Sequence, residues 1–185
     1  MSVSIEIKSD AIEKAQKYLA GVPKGFETAM MRSLNRALYE GRTVAIRETT
    51  ARYTVKAREV RPTFKMNKSH KNNLTASLES KGASLTLSLF SHSPKTDTTG
   101  ANRKQIRVAV KKSGLKPLDQ AFIHKGRIYQ RLGRASYPIR QRFGPSVPSM
   151  LDNDEVVDKV VEKMGESVEK RLDHETWYIL EGQYL

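Results

Sequence analysis

The sequence predicts an α+β fold, with a long N-terminal helix and a C-terminal helix packed on a mainly antiparallel β-sheet. Two changes of hydrophobic period carry that expectation. Apolar residues recur at three- and four-residue spacing from about Gly25 to about Ala51 and again past Pro148, but at every second residue in stretches between Leu74 and Val110. The first spacing lays one apolar stripe along a helix; the second puts one face of a strand on a core and the other in water. Breakers supply the third observation, because "GVPKG" and "FGPSVP" interrupt either period with residues of fixed or unusual φ.

In order along the chain, "DAIEKAQKYLA" (Asp10 to Ala20) reads as a short helix, with Asp10 as cap and Ile12, Ala15 and Leu19 as its stripe. The long helix follows the break. Phe26, Ala29, Met30, Leu34, Ala37, Leu38, Val44 and Ala45 form its buried face, while Arg32, Arg36, Arg42 and Arg47 lay their stems along apolar surface and keep their heads in water. An extended entry through Tyr53–Val55 leads into one helical turn that Pro62 ends. "KMNKSHKNN" is polar and basic and reads as a loop.

Leu74, Ala76 and Leu78, then Leu85, Leu87 and Leu89, predict two strands with "SKGAS" as the turn between them. The segment Ser91–Lys104 offers little to bury and reads as a mobile loop. Ile106, Val108 and Val110 mark a further strand, and "AFIHKGRIYQRLG" a hairpin with Lys125-Gly126 at its tip. The last helix has Asp152 or Asn153 as cap and Asp154 and Glu155 at the positive end of its dipole. Its stripe is Val156, Val157, Val160, Val161, Met164, Val168 and Leu172.

A length of 185 residues suits one domain, here a basic α+β body over 1–150 and an acidic C-terminal helix over 151–185 that belongs to the same domain. With no Cys, neither a disulfide framework nor a thiolate zinc site is possible. The first ten residues alternate apolar and polar, and no long apolar run follows, so neither a secretory segment nor a membrane partner is expected. The net charge of +13 is unevenly spread. Residues 151–185 hold ten acids and four bases, whereas from Arg103 to Arg142 there are twelve Lys or Arg and one acid, Asp119. Such a field attracts polyanions or acidic protein faces.

Catalytic patterns do not emerge. His70, His92, His124 and His174 sit on separate segments without metal-ligand spacing. No serine lies in a nucleophile elbow, and "SGLKP" and "LGRAS" match no phosphate-cradling loop. A metal-dependent nuclease needs clustered carboxylates. Glu79, Asp97 and Asp119 stand alone, and Asp152, Asp154, Glu155 and Asp158 cluster at a helix start that accounts for them. No catalytic, cofactor or metal residue is therefore assigned. Tyr129, Tyr137 and Phe143, interleaved with Arg127, Arg131, Arg134, Arg140 and Arg142, suit either nucleic-acid stacking or a subunit contact.

Several segments together resemble the minor tail protein Z family of tailed bacteriophages. They are "SLNRALYEGRT", "YTVKAREVR", "TASLESKGASLTLSLF", "VAVKKSG", "QAFIHKGRIYQRLGRASYPIRQRFGPSVPSM" and the closing "RLDHE". The most specific is an alanine-phenylalanine strand, a step that joins Arg and Gly, and then "PIRQRFGPSVPSM"; the insert "SHSPKTDTTGANRK" looks individual. The resemblance implies a structural virion protein that completes the tail near its head-proximal end, assembled in the bacterial host cytoplasm. It implies partners among tail and neck proteins (tail terminator or tube, head-tail connector) and self-association, often as a sixfold ring around the DNA channel.

Beside that implication, Pro138, Pro145 and Pro148 stiffen the free segment, and Gly144 permits a turn. Tyr137, Arg140, Arg142, Phe143, Gly144, Pro145 and Pro148 are accordingly the candidate protein interface, against the plainer reading of a connector that only packs locally. Arg103, Lys104, Arg107, Lys111 and Lys112 are the candidate DNA-facing residues, contacting phosphate without reading sequence. A DNA-binding accessory protein is the alternative function.

Overall fold

Residues 2–3, 9–98 and 104–182 are described by a computed structural model. In chain order they form β1 (Ser2–Val3), α1 (Ser9–Leu19), α2 (Gly25–Arg52), α3 (Ala57–Val60), β2 (Phe64–Asn67), β3 (Ser77–Ser80), β4 (Ser84–Thr86) and β5 (Ser91–Ser93). Then follow β6 (Ile106–Ala109), β7 (Lys116–Leu118), β8 (Ala121–His124), β9 (Arg127–Arg131), β10 (Ile139–Gln141), β11 (Phe143–Ser146), α4 (Val147–Leu151) and α5 (Asp154–Leu180). The class is α+β, and every strand pair among the described residues is antiparallel, distributed over four short sheets.

The chain divides into two compact units. The first takes Met1–Ala45, Phe64–Ser80 and Asp152–Leu185; the second takes Ile46–Thr63 and Lys81–Leu151. In the first unit the stripes read from the sequence meet in a helical core, where Ala15 and Leu19 of α1 join Ala29 and Met30 of α2 and Leu172 and Ile179 of α5. Gly41 of α2 is buried, and a Cβ there would stand 2.3 Å from the Met164 sulfur of α5, so the glycine makes room for a close approach. At Glu175 that core accepts a charge. Its side chain is 3% exposed, with Arg32 Nη1 donating to Oε2 at 2.9 Å and Arg171 Nη2 lying 2.7 Å from Oε1. The small sheet has the order β1-β3-β2.

That sheet corrects one expectation, since Phe64–Asn67 is a strand where a loop was expected from Lys65 onward. Polar residues occupy it because their needs are met across the pair. The Asn67 amide donates to Ser77 Oγ at 2.8 Å and to Glu79 Oε1 at 2.9 Å. A second correction concerns the hairpin expected around "SKGAS". β3 pairs with β1 and β2, whereas β4 pairs with β11, and the Lys81 N–H bonds Thr63 O at 2.9 Å. The chain passes from the first unit to the second at 80/81 instead of turning between partners, and Leu87–Leu89 is a 3₁₀ turn instead of a strand.

The second unit holds the sheets β5-β6-β7, β10-β9-β8 and β4-β11. Its core collects Val60, Leu87, Phe90, Ile106, Ile123, Ile128, Val147 and Met150. The predicted one-turn helix is α3, followed by a 3₁₀ turn that contains Pro62. Not all of Ser91–Lys104 is a loop: Ser91–Ser93 forms β5 against β6. Farther on, Thr98 is buried, giving its N–H to Ile123 O at 3.1 Å and taking the Ile123 N–H on its hydroxyl at 2.9 Å. In the first unit again, α5 starts at an extended Asn153 without a side-chain cap bond; the carbonyl of Asn153 takes the Val156 and Val157 N–H groups instead.

Candidate interaction surface

The hairpin β8–β9 turns through Lys125 at φ 48° and Gly126 at φ 70°. Two consecutive left-handed residues give the turn whose twist matches paired strands. Asp97 steadies the turn by accepting the Lys125 N–H at 3.1 Å. Alternation then sorts the side chains. Ile123 and Ile128 face each other in register and are each 1% exposed, which makes theirs the core face.

The other face carries Phe122 opposite Tyr129, with ring centroids 5.8 Å apart and planes 23° from parallel. The Arg131 guanidinium sits 4.6 Å from the Phe122 centroid, a cation on an aromatic face. Opposite Arg131, β10 places Ile139, which is exposed. As the outer strand of its sheet, β10 pairs on one side only among the described residues. The β9–β10 connection is closed by the Leu132 N–H donating to Pro138 O at 3.1 Å, and it presents Leu132 and Tyr137 to solvent, the latter 75% exposed.

The candidate interface residues separate into two groups. Tyr137, Arg140 and Phe143 are exposed and close in sequence on one margin of the sheets. Arg142, Gly144, Pro145 and Pro148 are half-buried and hold the chain in place. The Arg142 N–H donates to Ile128 O at 2.9 Å and its carbonyl accepts the Leu87 N–H at 3.1 Å, so the backbone is fixed from both sides. Gly144 does not make the expected turn. It lies in β11, where a Cβ would stand 2.7 Å from Phe90 Cε2, so it is needed for close packing on a buried ring. The segment forms two strands that serve two sheets.

Of the candidate DNA-facing residues, Arg103 lies outside the described residues. Arg107 alternates on β6 with buried Ile106 and Val108 and points outward. Lys104, Lys111 and Lys112 are exposed, and Tyr53 forms an isolated bridge with Lys111 while the Lys112 N–H donates to Arg52 O at 3.0 Å. Within the described residues none of these four forms an ion pair, and the same holds for Arg127, Arg134 and Arg140.

Sequence reasoning missed Phe122, Leu132 and Ile139 as parts of this surface. Residue type alone does not place them, and only the register of β8, β9 and β10 reveals which side faces outward. Among the described residues no three His, Asp or Glu lie together as a metal site would need, and no helix is long and apolar enough to cross a membrane. A family model described as prophage minor tail protein Z matches residues 10–181. No curated protein and no solved structure matches the chain.

Proposed function

The chain belongs to the prophage minor tail protein Z family, a structural component of the phage tail, and on that premise we propose that it completes the tail at its head-proximal end as one subunit of a ring. Its partners are other tail proteins and its place is the virion. The finer reading adds the tail terminator or tube and the head-tail connector as neighbours. One observation carries it: Leu132, Tyr137, Ile139 and Phe143, all exposed, stand beside arginines that form no ion pair among the described residues. Aromatic and arginine side chains dominate interface energetics when a partner desolvates them, and uncompensated charge selects the partner and its register. Tyr137, Arg140 and Phe143 would make the contact, while Arg142, Gly144, Pro145 and Pro148 hold them in position.

Cryo-electron microscopy of intact virions and of virions lacking the chain tests this reading. Density for the chain at the head-proximal end, and tails that fail to join heads in its absence, are expected. A chain found elsewhere in the particle, or absent from it, would refute the proposal.

A second reading rests on the exposed cations of β6 and of the segments on either side of it. Lys104, Arg107, Lys111 and Lys112, with Arg103, would face duplex DNA in the channel and bind phosphate without reading bases. Affinity for duplex DNA should then fall steeply with salt, and each of these cations removed should lessen the log–log slope by about 0.9. A slope unchanged by replacing all five with alanine would exclude it.

A further inference from the structure

The first unit carries a surface of the opposite kind. Asp158, Glu162, Glu169 and Asp173 of α5 are spaced by four, seven and four residues, which sets them along one face of the helix. None of the four forms an ion pair within the described residues. Toward its C-terminal end this acidic stripe runs into an apolar groove between α1 and α5, where Tyr18 and Trp177 are each 59% exposed and Leu180 is 49% exposed. Lys14 and Asp173 stand at its margin, and Thr176 lines it. The Thr176 hydroxyl is buried and has no hydrogen-bond partner.

We propose that the occupant is the β9–β10 margin of a second copy of this chain. Each side offers what the other lacks. The margin presents Leu132, Tyr137 and Ile139 with Arg134 and Arg140; the groove presents Tyr18, Trp177 and Leu180 with Glu169 and Asp173. Seven of the nine large apolar side chains exposed among the described residues lie on these two patches or, for Phe143, next to one of them in the chain. Apolar anchors flanked by charges of opposite sign are the composition of a specific contact. A contact between two different patches can repeat head-to-tail, and such repetition closes into a ring when the rotation permits. This deepens the ring reading above and rests on it for the biological setting only.

Charge-swapped chains test the contact. The purified full-length chain is examined by sedimentation velocity over a range of concentration and salt, beside Arg134→Glu/Arg140→Glu and Glu169→Lys/Asp173→Lys variants. The wild type should self-associate, more weakly as salt rises, and each variant alone should associate at least about tenfold more weakly. Mixing the two variants, or combining all four changes in one chain, should restore association, because every face again meets its opposite. A misfolded variant is recognised by circular dichroism, and rescue in the mixture cannot come from a misfolded chain.

Trp177 is the only tryptophan, so its emission should shift to the blue as association proceeds, and Trp177→Ala and Tyr137→Ala should each weaken association. A wild type that stays monomeric at low salt and about 100 µM, where a micromolar contact would be largely formed, overturns the proposal. So does swapping without rescue. Failure here leaves the tail location standing, and a chain that associates as described yet is missing from the virion overturns the tail location alone.

Discussion

The double arginine clamp on Glu175 gives an asymmetric prediction. The carboxylate is 3% exposed, whereas the Arg32 and Arg171 side chains are 40% and 43% exposed. Glu175→Gln keeps the shape and one acceptor, and releases two guanidiniums that water already reaches. Since pairs with an exposed partner contribute little, the expected loss is about 1 kcal/mol. Arg32→Met together with Arg171→Met does the reverse, keeping most of the apolar stems and leaving a buried charge without a counter-ion. A broken buried pair costs about 3–5 kcal/mol, and water's partial access to the arginine heads places this case near the lower end, about 3 kcal/mol.

The difference of about 2 kcal/mol corresponds to a midpoint roughly 5 °C lower for the double arginine variant than for Glu175→Gln in a chain of this size. Urea titrations followed through Trp177, two residues beyond Glu175 on α5, read the first unit directly. The triple variant Arg32→Met/Arg171→Met/Glu175→Gln should recover much of the loss, because the stranded charge is gone. If Glu175→Gln is as damaging as the arginine pair, or the triple variant recovers nothing, the account of this cluster is wrong.

Gly144→Ala should destabilise by about 1–3 kcal/mol through overpacking against Phe90, with Gly133→Ala, which meets no atom within 4 Å, as a neutral control in the same thermal scan. Gly126→Ala should cost about 1 kcal/mol at φ 70°, whereas Lys125→Asn at φ 48° should gain about half that, because Asn adopts this region more readily; equal effects of the two on denaturation midpoint would contradict the turn assignment. Tyr39 should ionise below the ordinary tyrosine range, since Lys68 donates a hydrogen bond to its phenol and adds positive charge nearby, reinforced by Arg42. Lys68→Met should raise that midpoint in a phenolate absorbance titration referenced to Tyr39→Phe, and an unmoved curve would sink the assignment.

Local periodicity explains which elements could be read directly. α1, α2 and α5 bury one stripe each, and Lys125-Gly126 announces its turn by residue type. What escaped was pairing between distant segments. "SKGAS" has the composition of a hairpin turn, yet β3 and β4 pair elsewhere, because partner choice is settled by the sheets of two units and not by the five residues between the strands. Asn67 forms part of a strand through side-chain bonds to Ser77 and Glu79 that no windowed hydrophobic pattern records. The arginines and aromatics of 127–143 are legible in the sequence as a candidate surface, but the outward placing of Phe122 and Ile139 needs the register of three strands. Trp177 gave a faint signal: it is the sole tryptophan and lies off the helix's apolar stripe.

The chain passes between its two units at residues 45/46, 63/64, 80/81 and 151/152. During synthesis, therefore, the first unit stays unfinished until α5 emerges, while every segment of the second has already left the ribosome. The apolar stripes of α1 and α2 must wait through the making of more than a hundred residues, several seconds at ordinary elongation rates of about 5–20 residues per second. A chain stopped before Asp152 keeps the β9–β10 margin but lacks the groove that would receive it. If the proposed contact builds a ring, such a fragment caps it without extending it, and premature termination then acts as a dominant poison of assembly rather than as a simple loss.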